Sequence, residues 1–168
     1  MDLSEQDLKK IKSLHVMLKM PIWILERETN RVLKSYKSIY KHPISYEFKE
    51  KNISDEVVRF YSGMLNEIFL CLWYQDVRIV IGAFRINNVT STEFSHVYDN
   101  LTPENKKILS EKECWEYYSS LPVYPLGDIR DYLILLGFLF DMNLEEIYSE
   151  ELHKQVTENQ LELVWKSA

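Results

Sequence analysis

Two cysteines and four histidines are where nucleophilic or metal chemistry would have to begin in this chain. Cys71 stands in Phe69-Leu70-Cys71-Leu72-Trp73, an apolar, strand-like setting, and Cys114 stands beside Trp115 in a helix-like one. Neither belongs to a CxxC pair. His15, His42, His96 and His153 are all remote in sequence from one another and from both cysteines, whereas metal sites usually show at least one close ligand pair. A cysteine between two leucines reads as core. A partner that meets Cys71 only in the fold would make a nucleophile of it, so a small thiol enzyme stays open as an alternative. The paired acids Glu111/Glu113, Glu145-Glu146 and Glu150-Glu151 fall on polar helix faces, not at strand ends in a cleft where glycosidase carboxylates work. Gly63, Gly82, Gly127 and Gly137 are isolated, and there is no GxGxxG, Walker loop, HExxH or GxSxG. The expectation is a non-catalytic protein with no metal and no cofactor.

Binding is the better prospect. Trp23, Tyr36, Tyr46, Phe69, Trp73 and Phe84 all fall on or near expected strands, and a sheet rich in large rings can cradle a small apolar or planar ligand. Plain core packing is the other reading of the same rings. Stacking RNA would need basic surroundings and an RNP-like motif, and neither is present. The run from Tyr132 to Phe140, broken only by Gly137, is apolar nearly all round. Such a helix is buried on every side. Tyr132, Leu136, Leu139 and Phe140 are therefore candidates for a homodimer interface, with burial inside one subunit as the alternative.

The elements that must position these residues follow from periodicity. Residues 4–19 read as an amphipathic helix with Leu8, Ile11, Leu14 and Leu18 on one side, capped by Ser4, with Asp7 in its first turn and Pro21 stopping it at Met20. Ile22-Trp23-Ile24-Leu25, a turn over residues 28–31 and a return over residues 32–39 make a hairpin. Ile44, Tyr46 and Phe48 alternate as a short strand or extended arm. Ser54 is expected to cap a helix over residues 55–67, with Val57, Val58, Tyr61, Leu65 and Ile68 as its buried stripe. A second hairpin runs from Phe69 to Tyr74, turns at Gln75-Asp76 and returns with Val77, Ile79, Ile81 and Ala83 on one face and Arg78, Val80, Gly82 and Phe84 on the other. Thr102-Pro103-Glu104 and the capping box Ser110-Glu111-Lys112-Glu113 start helices, Leu121-Pro122 ends one, residues 128–142 form a long apolar helix, and acidic helices run from Leu144 to the end. An antiparallel sheet so flanked suits an α+β, GAF-like or PAS-like domain with a helical C-terminal tail.

At 168 residues, with 46% hydrophobic and 13% aromatic content, the chain fits one domain over residues 1–168, sheet-containing to about residue 100 and helical beyond. Residues 1–51 carry eleven Lys/Arg against seven Asp/Glu; residues 52–168 carry nine against nineteen. The acidic part would repel a phosphate backbone, so direct nucleic-acid binding is not expected. Arg31, Lys34, Lys37 and Lys41 are a solvated surface or a docking patch for an anionic partner. The start has no secretory pattern, the longest apolar run is too short for a membrane, and the cysteine usage suits a reducing compartment, so the expected location is the cytoplasm.

Three segments carry a family likeness: Leu14-His15-Val16-Met17-Leu18-Lys19-Met20-Pro21-Ile22-Trp23-Ile24-Leu25; Val77-Arg78-Ile79-Val80-Ile81-Gly82-Ala83-Phe84; and Tyr117-Tyr118-Ser119-Ser120-Leu121-Pro122 followed by the apolar helix. In order and spacing the chain resembles the N-terminal sensor domain of large AraC-type regulators of Gram-positive bacteria, the group that includes the YSIRK-associated regulators. Ala83 stands where that family tends to have proline. Its members carry a pair of helix-turn-helix units that no region after Trp165 supplies. The resemblance implies signal input, from an unknown small molecule or protein, and dimerisation, without DNA reading by this segment. A stand-alone adaptor or inhibitor is the alternative.

Overall fold

The computed structural model describes residues 3–37, 44–45, 58–141 and 166–167. Helix α1, Glu5–Leu18, opens with a complete capping box: the Asp7 N–H donates to the Ser4 hydroxyl at 3.1 Å and the Asp7 carboxylate accepts from the Ser4 N–H at 3.3 Å. It stops two residues earlier than Pro21 alone would require. Lys19 turns left-handed at φ 57° and donates its N–H to the His15 carbonyl.

Strands β1 (Ile22–Glu26) and β2 (Val32–Tyr36) form the first hairpin, with Asn30 at φ 56° in its turn. The expected return to residue 39 is seen as far as Tyr36. A short β3 (Ile44–Ser45) pairs antiparallel with a terminal β7 (Lys166–Ser167). Those last two residues are therefore extended, where a helical end was expected; the acidic segment from 144 to 165, like Tyr46, Phe48 and Ser54, lies outside the described residues.

Residues 58–62 overturn the expected helix over 55–67. They form β4 (Val58–Ser62), antiparallel to β5 (Ile68–Tyr74). The apolar residues here satisfy two periods at once. Val58 and Phe60 point to one face and Tyr61 to the other. Pairing with β5, in residues that are β-branched or aromatic, selects the period of two over the helical one. Gly63 and Asn66 (φ 63°) then turn the chain. The second expected hairpin is present as β5 and β6 (Val77–Phe84), joined at Gln75-Asp76.

The main sheet is antiparallel in the order β2-β1-β6-β5-β4. On one face Ile22, Ile24, Phe60, Leu70, Ile79 and Ile81 pack beneath α1 and α5 (Leu126–Phe140). On the other, Leu25, Tyr61, Phe69, Cys71 and Val80 meet α2 (Ser91–Asp99) and α4 (Glu111–Ser120), with α3 (Pro103–Ile108) between them in sequence. The helical part is thus wrapped over both faces of the sheet. The sequence reading named no start for helix α2, yet Thr90 caps it by accepting from the Glu93 N–H, and Phe94, Val97, Tyr98 and Leu101 recur at helical spacing.

The face assignment at the end of β6 also needs correction. Ala83 joins Val80 under α4, and Phe84 joins Ile79 and Ile81 on the α5 side, the reverse of simple alternation. The register explains it. Ile68 pairs with Phe84 but Phe69 pairs with Gly82, so a bulge absorbs Ala83 and flips every later side chain.

Candidate functional site

The six candidate ring residues do not converge on one pocket, because the pleat sends them to opposite faces. Trp23 and Phe69 lie on the α4 side with ring centroids 6.3 Å apart. Trp73 carries two guanidinium groups against its ring, Arg78 at 4.2 Å and Arg27 at 4.3 Å, and Arg78 donates to the Asn30 side-chain oxygen at 3.2 Å. Tyr36 is on the α5 side, stacked at 5.8 Å on His15 with Lys34 over it. Phe84 lies on that side too, in edge contact with Phe60 and Tyr124. Tyr46 is outside the described residues.

Of these rings, Phe84 faces a cavity. It lies between sheet and α5, lined by Phe60, Ile81 and Phe84 from the sheet, Met20 after α1, and Tyr132 and Leu136 from α5. Its volume is about 30 Å³. That admits a water or two, whereas pockets for metabolites span roughly 300–1,000 Å³. One wall is fixed by Tyr124, whose hydroxyl donates to the Leu18 carbonyl at 2.7 Å and whose ring meets Tyr132 at 4.8 Å.

Helix α5 distributes its apolar residues differently from the interface expected of it. Leu136 and Phe140 are 2% and 3% exposed, spent on the protomer's own core, and Tyr132 and Leu139 are half-buried against the same core. Phe140 meets the ring of Tyr74 at 4.8 Å. The side chain turned outward is Phe138, 82% exposed. On α1, Val16 and Met17 are likewise exposed. Phe138 is the surface residue that the sequence reading did not single out, because the run from Tyr132 to Phe140 is apolar nearly all round and marks no outward side.

Under α4 the chemistry is of another kind. Cys71 and Cys114 are both buried, and burial pushes each thiol up to about 12. A thiolate at either is disfavoured by desolvation before any base is considered, which removes the support for a Cys71 nucleophile. Arg85 follows β6 and reaches across to the end of α4, where its Nη2 donates to the Leu121 carbonyl at 2.8 Å and the Ser119 carbonyl at 3.2 Å. Its guanidinium also lies 5.4 Å over the Tyr118 ring. The last carbonyls of a helix attract a cation, so this contact pins α4 to the sheet. Glu67, in the turn between β4 and β5, is wholly buried. Flanked in sequence by Leu65 and Ile68, it offered no periodic signal that would separate it from a solvated helix face.

Among the described residues no His, Cys, Asp and Glu side chains group as metal ligands, and no helix is long and apolar enough to cross a membrane. Comparison with protein-family models, with curated proteins and with solved structures finds no match to the chain.

Proposed function

We propose that this chain is the input and dimerisation domain of a bacterial transcription regulator, built on a GAF-like or PAS-like plan and working without catalysis. The observation that carries the reading is Phe138, a large apolar side chain 82% exposed on the helix that covers the sheet. Val16 and Met17 on α1, which packs on the same face of the sheet as α5, are exposed as well, and it is several exposed apolar side chains on one side that mark a contact surface. The plan is supported by the main sheet: with the short β3 set aside, its strands run 2-1-5-4-3, and α1 and α5 share one face of it. The three segments that resemble AraC-type sensor domains fall on α1 with β1, on β6, and at the end of α4.

A cavity of about 30 Å³ favours contact with a macromolecule over an engulfed metabolite as the input. Such a partner would prefer one arrangement of α1 and α5 and shift the population toward it. Sedimentation equilibrium tests the association. The chain should run at twice its 20.1 kDa mass, and Phe138→Asp at the single mass. Being exposed, that substitution should leave stability within about 0.5 kcal/mol. Leu136→Asp would instead unfold the protomer, because Leu136 is core. A wild-type chain that stays at the single mass at tens of micromolar would remove dimerisation from the reading.

A further inference from the structure

Glu67 is wholly buried, and backbone donors hold its carboxyl: Oε1 accepts from the Leu65 N–H at 3.1 Å, and the Glu67 N–H adds a second hydrogen bond. Its Oε2 is buried with no hydrogen-bond partner among the described residues. The turn holds it there. The Gly63 N–H donates to the Glu67 carbonyl, the Asn66 N–H donates back to Gly63, and the carboxyl packs so closely on Gly63 that a Cβ at that position would overlap it.

Among the described residues, the titratable groups that feel the charge of this carboxyl are Cys114 and Tyr118, both on α4, and neither is a cation. Glu111 and Glu113, farther along α4, add negative charge. Arg85, which touches Tyr118, is committed to the carbonyls of Ser119 and Leu121. A carboxylate here is desolvated and has no counter-charge among the described residues, whereas the neutral acid leaves only one weak donor unpaired.

We propose that Glu67 is a proton-binding site through which acidity controls how tightly the α4 layer seats on the β4–β5 turn. The site stands apart from the dimer reading, since it lies on the opposite face of the sheet. Burial lifts the Glu67 carboxyl from 4.5 to about 7. The folded state therefore holds this proton more tightly than the unfolded chain does. Its stabilising effect is complete below about pH 4.5, drains away as pH rises, and is gone above about 7. A shift from 4.5 to about 7 corresponds to a roughly 300-fold loss in the folding equilibrium constant across that interval. Ionisation at neutral pH draws the carboxylate toward water, which it reaches only by loosening the turn from Cys114 and Tyr118.

Two measurements on the full chain test this. NMR titration of the Glu67 side-chain carboxyl should give a midpoint between 6 and 8; a midpoint below 5.5 overturns the proposal. Labelling by a thiol reagent, resolved by mass spectrometry, should show the ratio of Cys114 to Cys71 modification rising several-fold from pH 5.5 to 8. In Glu67→Gln, which keeps the shape of the neutral acid, that ratio should stay flat. A ratio with the same pH dependence in both proteins overturns the link to α4, and the titration decides the proton site even if the variant folds poorly.

Discussion

Gly63 and Glu67 form a tight pair across the β4–β5 turn, and each limits what the other position accepts. In Gly63→Ala the added methyl overlaps the Glu67 carboxyl, so either the turn shifts or the acid moves into a core that has no room. Overpacking of this kind costs about 1–3 kcal/mol, to be read from the urea midpoint. A variant within 0.5 kcal/mol of wild type, on the usual scale for surface sites, would show that the carboxyl is not packed as described. Lengthened side chains at Cys71 or Cys114 belong to the same class of change, since both thiols are buried in the core. Trp23, Tyr36, Phe69, Trp73 and Phe84 do lie on strands, as expected from sequence, but residue type says nothing about which rings share a face.

The helices start where their capping residues put them. Ser4, Thr90, Thr102 and Ser110 each accept from the N–H three residues on. Thr90 is exposed and its hydroxyl serves α2 through Glu93 alone. Thr90→Ala should therefore lower stability by about 1 kcal/mol with native circular dichroism. No measurable change would mean that α2 is held by Phe94, with its Trp115 and Tyr118 contacts, and not by its start. Strand β4 shows the opposite behaviour. Its residues fit a helical stripe as well as an alternating one, and long-range pairing with β5 decided between them.

At the scale of the whole molecule, the sheet is shielded on both sides and differs in protection across its width. Strands β1, β6 and β5 each have two neighbours, whereas β2 and β4 lie at the edges of the main sheet. Amide exchange should be slowest in β1, β5 and β6, with alternate amides of β2 exchanging far faster. A β2 as protected as β6 would contradict the strand order. The same layering explains why α5 looked like an interface from sequence. It lies over a sheet whose core it fills with Ile129, Leu133, Leu136 and Phe140, and this uses most of its apolar surface inside one protomer.

By itself the sequence determined the local features: the capped starts of α1, α3 and α4, the β5–β6 hairpin with its turn at Gln75-Asp76, the first hairpin, and an α+β class. These depend on contacts between residues a few positions apart, and such contacts are written in residue type and spacing. Tertiary structure alone decided that residues 58–62 are a strand, that the bulge at Ala83 exchanges the faces of Ala83 and Phe84, and that Leu136 points inward while Phe138 points out. It also decided that Glu67 is wholly buried within electrostatic reach of α4. Each of these outcomes depends on which distant segment is packed against the residue, and the desolvation that results acts over space with no trace in the local pattern of the chain.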